Sequence, residues 1–160
     1  MRLPTYAFLD VVGTLTGPGG VVSIGSGSGN AKEGITVEFT EDKDRLLIGA
    51  DGSSMHSLIA SKAGRVLVRL LKTSPINSLL QGLYNFQTTS SIFHGHNTLV
   101  ISNFVTGDDY TCQEVAFARF PRNEYAEEGG MIEWDFNAAV IDPILGAGVP
   151  SLIAAIGAAL

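Results

Sequence analysis

The sequence has few of the residues that build disulfide-stapled or highly charged proteins. Cys112 is the only cysteine among 160 residues, so no intrachain disulfide forms and a disulfide-framed secreted module is excluded. Charged residues make up 16% and hydrophobic residues 45%, which excludes a disordered chain. A chain of this length folds around one core. We therefore expect a single domain over residues 1–148, followed by an apolar tail over residues 149–160.

Basic charge and long apolar runs are also scarce. Ten lysines and arginines against sixteen acidic residues give a net charge of −6, the wrong sign for holding nucleic-acid phosphates. After Pro150 the apolar run is far shorter than the ~20 residues that span a bilayer. Pro4 and Asp10 interrupt the opening stretch, where a signal peptide needs an apolar run. The sequence predicts no membrane anchor and a protein made for the cytosol.

Apolar and polar residues alternate with a period of two through most of the chain, as in "ITVEFTE" and "MIEWDFNAAVI". The residues expected to point inward are Ile35, Val37, Phe39, Ile132, Trp134, Phe136, Ala138 and Val140. The residues expected on the polar face are Thr36, Glu38, Thr40, Glu133, Asp135 and Asn137. Such a sheet leaves exposed edges, and a closed ring of identical subunits pairs each edge with the next subunit.

One segment breaks this period. In "TSPINSLLQGLYNF", Ser74 is placed as an N-cap and Pro75 as the first helical residue. The apolar residues that follow recur at helical spacing and predict an amphipathic α-helix over about residues 75–86. The predicted fold is therefore mainly β, a sandwich or barrel with one flanking α-helix.

Seven of the nineteen glycines lie in "GPGGVVSIGSGSGNAKEG", which raises the question of a phosphate-binding loop. Such a loop ends in Gly-Lys-Ser/Thr and opens a helix, whereas Lys32 precedes Glu33 and a strand pattern follows. We expect a tight turn at residues 17–20 instead. We also expect a flexible joint that orders when subunits meet, formed by Gly25, Gly27 and Gly29.

Other combinations of residues raise the question of metal binding or catalysis. His94 and His96 have the spacing of a chelating pair in an extended segment, but turn histidines beside Gly95 are the favoured interpretation. The stretch "ADGSSMHS" holds the residue types of a hydrolytic triad, namely Asp51, Ser53 or Ser54, and His56, without a strand-turn-helix setting. We expect neither an enzyme nor a cofactor or metal site.

Three stretches in combination resemble a known family. They are "GSGSGNAKEGITVEF", "IGADGSSMHSLIASKAGRVLVRLLKTSPINSLL" and "GGMIEWDFNAAVIDPILGAG". They look like the tail tube proteins of contractile-tailed bacteriophages, whose fold is related to the type VI secretion tube. The resemblance runs from about Tyr6 to Gly148, and the strand-to-helix stretch "GRVLVRLLKTSPINSLLQGLYN" is its most specific part.

The resemblance implies a β-sandwich with a flanking helix that assembles into hexameric rings, with the subunit sheets joined into one continuous β-barrel. Stacked rings form a helical tube inside a contractile tail sheath. The lumen holds the tape measure protein and conducts phage DNA at ejection without sequence-specific binding. The protein is then part of the virion, assembled in the host cytoplasm.

The resemblance also suggests roles for particular residues. The loop over residues 40–57 is expected to contact the neighbouring ring, with ring-stacking candidates Glu41, Asp42, Lys43, Asp44, Arg45 and Asp51. The lumen or polar-face candidates are Thr36, Glu38, Glu133, Asp135 and Asn137, and the inter-subunit candidates are Arg65, Arg69, Gly25, Gly27 and Gly29. An ordinary solvated hairpin remains open for the loop. The open alternatives for function are another virion protein, such as a tail terminator or sheath-associated component, or a small-molecule- or metal-binding β-sandwich.

Overall fold

The computed structural model describes residues 5–148. Its strands are β1 (Val11–Gly17), β2 (Gly20–Ser23), β3 (Asn30–Phe39), β4 (Asp44–Ile48), β5 (Ser54–Leu58), β6 (Gly64–Leu71), β7 (Asn97–Asn103), β8 (Asp108–Arg119) and β9 (Met131–Ile144). A helix, α1 (Ile76–Gln87), lies between β6 and β7. The prediction of a mainly β fold with one helix is confirmed. The predicted apolar tail over 149–160 lies outside the described residues.

Seven of these strands form one curled antiparallel sheet with the order β2-β1-β7-β8-β9-β6-β3. The long strands β8 and β9 lie near its middle, and each pairs with different neighbours along its length. The sheet curls into a half-barrel whose outermost strands are β2 and β3. The remaining strands, β4 and β5, pair only with each other and form a separate hairpin.

The core lies on the face of the large sheet that α1 covers. Leu80 and Leu83 of the helix join the buried residues of the strands, among which Trp134 and Phe136 are the largest. The Phe117 ring is 4.8 Å from the Phe136 ring, centroid to centroid, and 5.6 Å from the Tyr84 ring. Aromatic pairs of this kind stabilise the core beyond the effect of burying their apolar area.

The helix begins one residue later than the sequence predicts. Pro75 occupies the N-cap position, and α1 starts at Ile76. The Ser74 hydroxyl still accepts a hydrogen bond from the Ile76 N–H, at 3.3 Å, and donates one to the Ser28 carbonyl, at 2.6 Å. Ser74 therefore helps to start the helix and also attaches the helix start to the glycine-rich segment.

Two residues that the alternation places inward do not pack against the core, unlike Ile35, Val37 and Ile132, which are partly buried against it. Phe39 lies near the end of the outermost strand β3 and is 42% exposed. On β9, Ala139 and Val140 interrupt the alternation, so that Ile141 is buried in place of Val140. The same change of face occurs in β8, where Cys112 and Val115 are both buried although they lie three residues apart, and the two strands keep their register through it. Against its other neighbour, β7, strand β8 has a bulge here, because Asn97 pairs with Val115 but Leu99 pairs with Cys112. Glu114, at φ 53°, lies in this bulge.

A buried amide pair ties the end of the helix to the sheet. The Asn97 side chain donates to the Gln87 Oε1 atom at 2.6 Å and to the Val115 carbonyl at 3.0 Å, and it accepts from Gln87 Nε2 at 2.8 Å. Gln87 also donates to the Pro18 carbonyl at 2.9 Å. The pair thus connects α1, β7, β8 and the turn between β1 and β2.

Replacing Asn97 with alanine is expected to lower the free energy of unfolding by about 2 kcal/mol, because the buried Gln87 amide and the Val115 carbonyl lose their partners. Urea unfolding followed by circular dichroism measures this. The control is Asn123→Ala, since Asn123 is exposed; its effect should stay within about 0.5 kcal/mol. Equal effects from the two variants would contradict the assigned role of the buried pair.

Candidate assembly surfaces

The face of the sheet opposite the core carries a polar surface across three strands. Antiparallel pairing aligns Glu38 of β3 with Arg65 of β6, and Arg65 with Asn137 of β9. The same register aligns Thr36 with Leu67 and Leu67 with Asp135, while Arg69 faces Glu133. Directly paired residues share a face of an antiparallel sheet. All five polar-face candidates and both arginine candidates therefore lie on one surface, which we call the polar face.

Ion pairs connect the strands of the polar face. Arg65 donates to both carboxylate oxygens of Asp135, and Arg69 Nε lies 2.9 Å from Glu133 Oε2. Arg69 Nη1 also donates to the Thr36 hydroxyl at 2.7 Å. Hydrogen bonds to Asp135 and the charge of its carboxylate raise the pKa of Arg65. Each arginine thus has an acidic partner within its own subunit.

Asp135 differs from its neighbours on this face because it is only 3% exposed. Arg119 Nη2 approaches its Oδ2 atom to 3.8 Å from the other side, so the carboxylate lies between two guanidinium groups. Sequence reasoning identified Asp135 but missed Arg119, which lies beyond a register shift in β8 between Phe117 and Arg119. A strict period of two does not reveal a residue that a bulge brings onto the face.

The hairpin formed by β4 and β5 projects away from the domain. Arg45 pairs with Ser57 and Leu47 with Met55 on one face, and Leu46 pairs with His56 on the other. Nearly every residue of the two strands is exposed. At its base, Lys43 Nζ donates to the carbonyls of Ile59 and Ser61 at 3.2 and 2.6 Å. All six ring-stacking candidates lie in or beside this hairpin.

The hairpin also exposes apolar side chains, which the sequence analysis did not single out. Leu47 is 62% exposed and Met55 56% exposed on one face, and Leu46 and Ile48 are similarly exposed on the other. A two-stranded hairpin in water is only marginally stable by itself. Clustered apolar side chains on a projecting element are typical of a surface that another molecule covers. The alternating "DRLLI" and "SMHSL" segments carried the signal, but sequence alone does not tell whether a core lies beneath them.

The triad residues are not assembled into a hydrolytic site. Asp51 accepts hydrogen bonds from the Ser53 hydroxyl at 2.6 Å and the Ser53 N–H at 3.0 Å, and these bonds lower the pKa of Asp51. His56 Nδ1 instead lies 2.8 Å from Asp44 Oδ2. The serine and the histidine therefore have different carboxylate partners. Asp51 and Ser53 stabilise the turn of the hairpin.

The remaining histidine candidates lie in a turn, as favoured from the sequence. His94 and His96 are both exposed beside Gly95, which adopts φ 81° in the turn before β7. Among residues 5–148, no three histidine, cysteine, aspartate or glutamate side chains are grouped so as to hold a metal ion. Within the same range, no helix is long and apolar enough to cross a membrane.

Cys112 is buried in β8, and burial raises the pKa of its thiol to about 11. The reactive thiolate is therefore about a thousandth of the population at pH 8. We expect a disulfide reagent such as DTNB to label the folded protein far more slowly than the protein unfolded in guanidinium. Absorbance of the released thiolate measures both rates, and equally fast labelling would contradict the burial of Cys112.

The glycine-rich segment runs from β2 into β3, so no helix follows it, as the sequence indicates. A Cβ atom on Gly25 would collide with the backbone N of Gly13, and one on Gly29 would press on Ser74. Contacts within the subunit thus account for these two glycines. Gly27, at φ 92°, has open space around it. The inter-subunit role predicted for the three glycines stays a prediction.

A cleft of about 570 Å³ lies between β3, the end of β7 and the start of β8. Phe8, Ile35, Ile101 and Tyr110 line it together with Asn103. The Asn103 Oδ1 atom accepts hydrogen bonds from the Val105 and Thr106 N–H groups, and its buried Nδ2 atom has no partner. A cleft of similar volume lies beside Arg119 and Asp135, so neither cleft is singled out as a small-molecule site.

Residues 5–148 thus form a mainly β protein with a curled sheet, a flanking helix, an ion-paired outer face and an exposed hairpin. The model of the bacteriophage PhiTE tail tube protein family matches residues 3–146, nearly the whole chain. The protein belongs to this family and is a structural subunit of a phage tail tube, hence a virion component. Among curated proteins, none matches the sequence.

Solved structures share the fold at very low sequence identity. A chain of the sheath-tube complex of an extracellular contractile injection system, PVC, in the extended state has a TM-score of 0.57 at 7% identity, covering 88% of this chain and 92% of its own. A chain of the anti-feeding prophage baseplate reaches 0.59 at 9% identity, covering 90% and 97%. A chain of the cap that terminates the anti-feeding prophage tube reaches 0.53 at 11%, covering 91% and 94%.

Proposed function

We propose that the subunit forms hexameric rings that stack into a helical tube within a contractile sheath. The tube encloses the tape measure protein and later conducts the phage DNA. The subunit would be assembled in the host cytoplasm and would act by polymerisation, without catalysis, cofactor or metal. Membership of the tail tube family and the fold shared with chains of contractile injection systems support this proposal.

The observation that carries the proposal is the polar face. One face of the sheet is sealed by the core and α1, so the other is free to line a wet channel. Its arginines already have carboxylate partners in Asp135 and Glu133. Free arginines would hold DNA phosphates, whereas paired ones present a nearly neutral surface. We infer that Thr36, Glu38, Glu133, Asp135 and Asn137 lie along the lumen and let DNA slide. On this inference Arg65 and Arg69 stabilise the sheet within their own subunit and do not form contacts between subunits.

The hairpin of β4 and β5 is the proposed contact between rings. It projects from the domain, carries mixed charge from Glu41 to Arg45, and exposes apolar side chains on both faces. Mixed charge favours one docking orientation, and burial of apolar area supplies attraction. Both features suit a contact with another copy of the chain better than a permanently solvated loop. Asp51 would then hold the shape of the hairpin tip.

Negative-stain electron microscopy of the purified full chain tests the proposal. Stacked rings or hollow tubes are the expected result. Protein that stays monomeric under all assembly conditions, with a small molecule or metal bound, would refute it. The cap that terminates the anti-feeding prophage tube shares the fold, so the contrasting outcome is that of a terminator. A terminator is expected to give single rings that never elongate, so tube length separates the two.

A further inference from the structure

Part of strand β8 has a neighbouring strand on one side only. The pairing of β7 with β8 ends at Asn97 and Val115. The last four residues of β8, Ala116–Arg119, pair with β9 alone. Within the described part of the chain, their backbone groups make no hydrogen bond outside the β8–β9 ladder. This short free edge lies in the same layer as β9, β6 and β3.

The other free edge of that layer is strand β3, which pairs only with β6. Both edge strands have charged residues on the polar face, and the two charges have opposite signs. Glu38 lies on β3 and is exposed, and Arg119 lies on β8 with a side chain that is 73% exposed. Unpaired strand edges are templates for pairing with another chain. Opposite charges on two edges favour pairing between the edges and disfavour pairing of either edge with itself.

Strand direction agrees with such a contact in a ring. Three antiparallel steps separate β8 from β3, through β9 and β6, so β3 and β8 run in opposite directions. Subunits of a ring are related by rotation about its axis, so a given strand runs in the same direction along that axis in every subunit. When β3 of one subunit meets β8 of the next, the two strands are therefore antiparallel, as the rest of the sheet is.

We propose that β3 of one subunit pairs with Ala116–Arg119 of the next, and that Glu38 and Arg119 form a salt bridge across this seam. The proposal rests on the ring assembly proposed above and adds the identity of the joined edges. Strand β2, the other end of the seven-stranded sheet, is the competing edge. It has only four residues, and Gly19 beside it lies against Leu83 and Phe86 of α1. The helix therefore already flanks that edge.

Charge reversal tests the salt bridge. Glu38→Arg or Arg119→Glu alone is expected to lower the yield of sedimentable rings and tubes about tenfold, because like charges then face each other. The double variant should restore the yield to within about twofold of the unchanged protein. The control is Glu127→Arg with Arg122→Glu, which exchanges charges on the exposed loop before β9. Thermal melting of each free subunit checks that folding is intact. A double variant no better than the singles would overturn the salt bridge.

Chemical cross-linking tests the seam itself. Glu38→Cys combined with Arg119→Cys, treated in assembled tubes with a short bismaleimide, should give a ladder of covalent multimers on a denaturing gel. Each single variant should give none, because buried Cys112 stays unreactive. Tubes that form but yield the ladder only from Glu38→Cys with Val21→Cys would overturn the β8 seam and leave the proposed function standing. Failure of the unchanged protein to form any ring would overturn both.

Discussion

Replacing Asp42 and Asp44 together with lysine is expected to shorten or abolish tubes while leaving the subunit folded. The two changes turn a stretch of mixed charge at the hairpin base, residues 41–45, strongly basic. Like charges brought together at an interface cost several kcal/mol per contact, enough to prevent stacking. The subunit itself should tolerate the change. Asp44 pairs only with His56 in an exposed hairpin, and such a pair contributes at most about 1 kcal/mol.

Tube length by negative-stain microscopy and the pelleted fraction after ultracentrifugation measure the effect, and thermal melting measures the stability of the free subunit. The matched control is Glu127→Lys with Glu128→Lys, which makes the same change of net charge on an exposed loop. Leu47→Ser with Met55→Ser removes the exposed apolar pair from one face of the hairpin and should also shorten tubes. Tubes of normal length from both hairpin variants would remove the hairpin from ring stacking.

Replacing Phe136 with alanine is expected to destabilise the subunit by about 4 kcal/mol, the usual cost of deleting a large buried ring. Phe136 is fully buried, and its ring packs against that of Phe117 at the centre of the sheet. For a domain of this size the corresponding fall in melting temperature is about 10 °C. Fewer folded subunits would then be available, so the yield of tubes should fall without any change at an assembly surface.

Phe39→Ala is the matched control for this prediction. Both phenylalanines occupy apolar positions of an alternating strand, but Phe39 lies on the outermost strand and is 42% exposed. Its replacement should cost less than about 1 kcal/mol. Differential scanning calorimetry of the free subunits measures both. Comparable losses would mean that Phe39 is buried as deeply as Phe136, contrary to the structure.

Much of the fold could be predicted from local patterns. The runs "ITVEFTE" and "MIEWDFNAAVI" lie almost entirely in strands β3 and β9 of the structure, and the helix lies within a residue of its predicted bounds. These elements are readable because each packs mainly one side against the core, which gives its sequence a recognisable period. For the same reason, the sequence indicated that a strand and not a helix follows the glycine-rich stretch, since "ITVEF" has the period of a strand.

The candidate surfaces were only partly readable. Polar positions such as Glu133 and Asp135 could be identified from the alternation, but their ion pairs join residues more than sixty positions apart and depend on the register of β6 against β9. Arg119 was missed because a register shift between β8 and β9 changes the face that it occupies, and Ile141 was missed because β9 changes face between Ala138 and Ile141. Strand β4 carries apolar residues without any core beneath it, and nothing in "DRLLI" distinguishes it from a strand that has one.

By itself, therefore, the sequence determined the kinds of elements, the single helix, the absence of a disulfide and the resemblance to tail tube proteins. These depend on the residue types present and on their spacing along a few turns or strands. Tertiary structure alone decided which apolar faces are buried, which charges are paired within the subunit, and which strand edges are left open. Those properties arise from strand order and register, which bring together residues that no local pattern connects.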